Sequence, residues 1–140
     1  MIDAGVLLLD TAVILRISEG VAVSPACRAA LRENAGQLAV SAVTAWEIGL
    51  LATRTGNTRQ LFGGNAQRWL DRFMRSFSAR ALALSVPAAL EAAQLPEPFH
   101  RDPADRLLVA QARVDDLLIA TTDRKILAYA DAGHVRALAA

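Results

Sequence analysis

Leu117-Leu118-Ile119-Ala120-Thr121 is the stretch that decides the fold. It is a short, uninterrupted apolar run, the signature of a strand buried on both faces. A helical pattern opened by Asp102-Pro103 leads into it, and a second helical stretch, Arg124 to Ala130, follows directly. A buried strand between two helices is the unit of a parallel sheet.

Working outward, the same alternation recurs. Val6-Leu7-Leu8-Leu9 reads as a strand, and Thr11 to Ser18 has helical apolar spacing. Ser24-Pro25 supplies an N-cap and a proline at the first helical position, opening a helix to about Asn34. Leu38 to Ser41 is a second strand, and the helix after it runs to about Arg54 before Gly56-Asn57. Residues 66–77 place Trp69, Leu70, Phe73 and Phe77 on one stripe, with Arg68, Arg72 and Arg75 off it. Ala81 to Leu84 is a weak strand, Val86-Pro87 opens a helix to about Gln94, and residues 96–98 form a turn. Asp115-Asp116 reads as a solvated loop and Val135 to Leu138 as a last strand. The fold class is therefore α/β: a three-layer α/β/α sandwich around a short, mainly parallel central sheet.

Composition sets bounds on this reading. The chain has 140 residues, 54% of them hydrophobic, which suits one domain over residues 1–140 with a real core. Fifteen basic and fourteen acidic residues leave a net charge of +1, so a strongly basic nucleic-acid binder is excluded and any such binding uses a local patch. Cys27 is the only cysteine, so no intrachain disulfide forms. No signal-peptide pattern and no uncharged stretch of membrane-spanning length are present, and a soluble cytoplasmic protein is the expectation. Neither phosphate-loop motif occurs, nor does the G-x-S-x-G of serine hydrolases.

Four acids stand where buried segments give way to helices: Asp10, Glu47, Asp105 and Asp123. Taken singly, each has a local explanation. Asp10, Asp102 and Asp123 suit N-caps, Asp105 suits the first helical turn, and Thr44 with Glu47 fits a capping box. Taken together, they gather at the carboxyl edge of a parallel sheet, where ligands bind. Unit charges ~4 Å apart repel by roughly 4 kcal/mol at an effective dielectric near 20, so the cluster calls for a proton or a cation. Carboxylates without histidine or cysteine suit Mg²⁺ or Mn²⁺, the ions of phosphodiester hydrolysis. His100 and His134 read as surface or turn residues, Trp46 and Trp69 as core, and Cys27 as a buried small side chain.

Four blocks then make the chain recognisable. They are Leu7-Leu8-Leu9-Asp10-Thr11, Ser41 to Ile48, His100-Arg101-Asp102-Pro103-Ala104-Asp105-Arg106 continuing to Ala112, and Thr121-Thr122-Asp123. Over about Val6 to Ala130 the sequence resembles the PIN-domain proteins, and among them VapC-type toxins of toxin–antitoxin pairs. The resemblance implies a metal-dependent endoribonuclease. Its four acids would be Asp10, Glu47, Asp105 and Asp123, with Asp10, Asp105 and Asp123 on a Mg²⁺ or Mn²⁺ ion. Glu47 would orient water or support a second ion. Thr11 and Thr121 match positions that often carry a hydroxyl. Arg101, Arg106, Arg124 and Lys125 lie close in sequence to the acids and are candidates for RNA phosphates. The implied partners are an RNA substrate, an antitoxin whose C-terminal segment covers the site, and a second copy in a homodimer. Two positions depart from the family pattern: Ala12, where many relatives carry histidine, and Leu51, where many carry lysine.

Two alternatives stay open on the residues alone. One is a Mg²⁺-dependent phosphotransfer or phosphatase domain with Asp10 as nucleophile, which a trapped phosphoaspartate would reveal. The other is a non-catalytic interaction module whose acids are only caps; it predicts no divalent-ion binding.

Overall fold

The computed structural model describes residues 5–54 and 62–140. Gly56-Asn57 lies outside the described residues. Five strands, β1 (Leu7–Leu9), β2 (Leu38–Ser41), β3 (Arg80–Leu82), β4 (Leu118–Thr121) and β5 (Arg136–Ala139), form one sheet in the order β3-β2-β1-β4-β5. Every pairing is parallel, with Leu7 opposite both Leu38 and Leu118. The described helices are α1 (Thr11–Ser18), α2 (Pro25–Glu33), α3 (Ala42–Thr53), α4 (Ala66–Ser76), α5 (Val86–Ala93), α6 (Pro103–Asp115) and α7 (Arg124–Asp131).

Alternation along the strands divides the core into two halves. Leu7, Leu9, Leu38, Val40 and Ala120 face one side, against Val13, Ile14, Cys27, Ala30 and Phe73 of α1, α2 and α4. Leu8, Ala39 and Ile119 face the other, against Leu108, Val109, Ala112, Ile126 and Tyr129 of α6 and α7. This is the three-layer α/β/α arrangement. With helices on both sides, β1 and β2 are buried throughout, which is why they read as unbroken apolar runs. Helix α3 bridges the layers, touching α1, α4 and α6.

Serine, asparagine and aspartate start most helices. The side chains of Ser24, Asn65, Ser85 and Asp102 each accept a backbone N–H three residues on, with proline at the start of α2, α5 and α6. Three sequence expectations are revised. Helix α6 runs on to Asp115, and Asp116 closes it in the left-handed region at φ 54°, so the pair is a helix end rather than a loop. Trp46 is 53% exposed, because α3 buries the face carrying Val43, Thr44 and Ile48 and turns Trp46 and Leu50 outward. Trp69 does join a ring ladder with Phe62 and Phe73. Thr44 and Glu47 form no capping box: Ser41 caps α3 by accepting from Val43 N at 3.0 Å, one turn earlier than the sequence suggests.

Candidate functional site

β1 lies between β2 and β4, and chain progression runs outward from it in both directions. That makes the carboxyl ends of β1 and β4 the switch point of the sheet, the place where an open α/β fold leaves a crevice. Asp10 follows β1 and Asp123 stands two residues beyond β4. Helix α3 brings in Glu47 from its second turn, and α6 brings in Asp105 from its first.

Two threonines tie the site together. The Thr121 hydroxyl donates to Asp10 Oδ2 at 2.6 Å and accepts from Asp123 N at 3.0 Å, linking the ends of β1 and β4. The Thr11 hydroxyl donates to Glu47 Oε1 at 2.7 Å, fixing a carboxylate from another helix. Asp10 Oδ1 accepts from Thr11 N at 2.8 Å, and Asp123 Oδ1 accepts from Lys125 N at 2.7 Å. Asp102 Oδ1 caps α6 through Asp105 N at 3.1 Å. Capping and clustering are thus not alternatives here, because the caps are what aim the backbone that carries the acids.

The acids also act on one another electrostatically. Burial is the main force holding the Asp10 carboxyl above its ordinary range; Thr121 and Thr11 oppose it, and Asp123 and Asp102 add to it. Burial also raises Glu47, with the Thr11 hydroxyl opposing and Asp10 and Asp102 adding. Asp105 is pushed up to about 8, first by burial, then by the charges of Asp123, Asp102 and Asp10, and by a side-chain hydrogen bond with Asp123. Burial and like charge both disfavour the ionised form of these acids, and a bound cation would favour it.

The sequence reading missed one member. His100 Nε2 lies 3.1 Å from Asp105 Oδ2, and the histidine side chain is only 18% exposed. His100, Asp105 and Asp123 present ligand atoms within 4.8 Å of one another, the one such group among the described residues. His100 was read as a surface or turn residue because its sequence gives no partner; the Pro98–Phe99 turn folds it back over α6. His134 does occupy a turn, with its ring against Tyr129. Asp10 lies in the field of that group with both its oxygens already accepting hydrogen bonds. Asp102, read only as a cap, adds its charge to Asp10, Glu47 and Asp105.

The four basic candidates differ. Arg101, Arg124 and Lys125 are exposed beside the acids. Arg106 is turned inward: its guanidinium donates to the carbonyls of Ala92, Phe99 and His100 and lies 3.8 Å from Glu97. It pins the turn that carries His100 and has little left for a phosphate.

The donor set fits a hard divalent ion. It offers the carboxylates of Asp105 and Asp123 and the His100 imidazole within coordination reach of one another.

The comparisons agree with this geometry. A PIN domain family model matches residues 7–132. No curated protein sequence matches the chain. Among solved structures it resembles a chain of VapBC2 from Rickettsia felis bound to a DNA fragment from its promoter, with TM-score 0.70 and 13% identity over 96% of this chain and 98% of that one. It also resembles a chain of DNA-bound VapBC from Salmonella typhimurium, with TM-score 0.64 and 18% identity over 96% and 98%. A third likeness is to FitAcB from Neisseria gonorrhoeae, with TM-score 0.62 and 25% identity over 94% and 96%. With the family model spanning most of its length and the acids gathered at the sheet's switch point, the chain belongs to the PIN domain family.

Proposed function

We propose that this protein is a Mg²⁺- or Mn²⁺-dependent endoribonuclease, the VapC-like toxin of a toxin–antitoxin pair. The observation that carries the reading is the convergence of Asp10, Glu47, Asp105 and Asp123 from four separate elements on one under-neutralised site. PIN domains are generally nucleases, and the structural neighbours come from toxin–antitoxin complexes, which supports an antitoxin partner. A homodimer and a cytoplasmic setting complete the proposal.

Asp105 and Asp123 would hold the ion, with Asp10 joining directly or through water. A bound divalent ion supplies Lewis-acid charge for the phosphoryl oxygens and acidifies water for attack. The protein's own part is positional. Thr11 holds one oxygen of Glu47 and leaves the other free to take a proton from an attacking water. Thr121 fixes Asp10 relative to Asp123 across two strands. His100 Nε2, buried with no hydrogen-bond partner and 3.1 Å from Asp105 Oδ2, would add an imidazole to the donor set. Arg101, Arg124 and Lys125 would meet the RNA backbone.

The phosphotransfer alternative is disfavoured by Asp10 itself. At 7% exposure and with each oxygen already accepting a hydrogen bond, its carboxylate is held as a fixed acceptor rather than presented to solvent as a nucleophile.

Purified protein and single-stranded RNA provide the test. Cleavage is expected in Mn²⁺ or Mg²⁺, with 5′-phosphate products. It should vanish in excess chelator, return on adding metal, and be undetectable for Asp10→Asn and Asp123→Asn with folding intact. Cleavage that survives chelation, or equal activity in the variants, rejects the mechanism.

A further inference from the structure

Beside the acids lies a groove of which the chemistry above uses only two lining residues, His100 and Lys125. It has a volume of about 540 Å³ and is lined by Phe99, His100, Lys125, Ala128, Tyr129 and His134, with two further apolar residues. That size is within the usual range for organic-ligand clefts, ~300–1,000 Å³. Four rings form a continuous series along it. His100 to Phe99 is 4.5 Å between centroids, Phe99 to Tyr129 is 4.4 Å, and Tyr129 to His134 is 4.6 Å. The two inner rings are buried and the two histidines at the ends are half-buried. The Tyr129 hydroxyl donates to Pro96 O at 2.6 Å, so the polar end of that ring is already satisfied.

Two features set the occupant. First, the groove is continuous with the acidic site: His100 belongs to both, and Lys125 N donates to Asp123 Oδ1. The groove and the acids are therefore near enough for one short segment of a strand to reach both. Second, the lining contains no carboxylate and one lysine. A flat, neutral ring carrying an adjacent anion matches that pattern, the ring against aromatic side chains and the anion against Lys125.

We propose that this groove is a nucleobase subsite, taking one unpaired base of the substrate strand next to the scissile phosphate; this rests on the nuclease reading above and adds to it. A base can enter only if it is unstacked, so the groove selects single-stranded or looped RNA over duplex. Neighbouring nucleotides are held by their phosphates alone and contribute no comparable base dependence.

The test pairs substrate lesions with groove variants. Binding of a fluorescein-labelled ten-nucleotide single-stranded RNA, and of its ten single-abasic derivatives, is measured in Mg²⁺ with the Asp10→Asn protein. The same series is repeated with Ala128→Trp, which fills the groove from the outer face of α7, and with His134→Ala, which removes a lining ring without adding bulk. The expected result is a loss of about tenfold at one abasic position, with no further loss at that position in either groove variant. Uniform binding of all derivatives, or a tenfold loss that persists in both groove variants, overturns the subsite. Cleavage by the protein with native Asp10 separates the two proposals. If it cleaves RNA and both groove variants cleave with unchanged KM, the subsite fails and the nuclease stands. If it cleaves nothing in Mn²⁺ but shows the groove-dependent base effect, the nuclease fails and the subsite stands. No binding and no cleavage overturns both.

Discussion

Two polar assemblies lie at the carboxyl ends of neighbouring strands, and they are built on opposite principles. At the end of β2, Ser41 Oγ donates to Gln111 Oε1 at 2.6 Å, and Gln111 Nε2 donates to Ala83 O at 3.0 Å. Both residues are essentially inaccessible, yet the side-chain donors and acceptors answer one another. At the ends of β1 and β4, Asp10, Asp105 and Asp123 are gathered with the wrong sign against one another, and their protons are held above the usual carboxylate range where a shift is resolved. The first assembly satisfies itself, as buried polar groups in a stable core do. The second sets like charges against one another in a partly buried place, a conflict that a proton or a cation would relieve.

Neutralising one member of the second assembly should separate the two most sharply. Asp105→Asn is expected to abolish RNA cleavage and, without metal, to raise Tm. The sign follows from Asp105 itself. Its folded value of about 8 is above the unfolded value of 3.8. Stability is therefore lowest above pH 8, rises as pH falls through about 8, and the gain is complete near the unfolded value. Asp105→Asn should flatten that slope, and so should Mg²⁺, as followed by thermal melts from pH 5 to 9. A variant with the native slope would show that Asp105 is not the strained group.

The self-satisfied assembly should respond in the reverse way. Gln111→Leu leaves the Ser41 hydroxyl without an acceptor and is expected to cost ~1–3 kcal/mol in urea unfolding. Cleavage per folded molecule should be unchanged. A loss of activity with no loss of stability would place Gln111 in the site instead.

Asp102 belongs to both patterns and gives the smallest effect. Asp102→Ala removes the α6 cap and should cost ~1 kcal/mol. Asp102→Asn keeps a capping oxygen, so its stability should be near native while metal affinity falls. Equal stability in both variants would deny the cap.

How far the chain could be read depended on where burial leaves a mark in the sequence. β1, β2 and β4 were legible because helices cover both faces and force unbroken apolar runs. β3 and β5 were fainter because they are edge strands with no fully buried residue, and each begins on an exposed arginine, Arg80 and Arg136. Asp10 and Asp123 stood out by their position just after β1 and β4, whereas Asp105 and Glu47 lie inside helices. Glu47 was assigned the wrong local partner because Ser41, not Thr44, begins α3, and the true partner, Thr11, is remote in sequence. His100 and Arg106 were misjudged for the same reason: one closes on the acids and the other turns away from them through contacts made only in the folded chain. Trp46 was misjudged because apolar residues occupy both faces of α3.

Lys125 is the only lysine in a chain otherwise supplied with arginine, and it stands at the junction of the acids and the aromatic groove. An acylating reagent therefore has one side-chain amine to find, and that amine guards the mouth of the site. Mass spectrometry of the labelled protein becomes an occupancy gauge: whatever fills the crevice should shield Lys125 from the reagent.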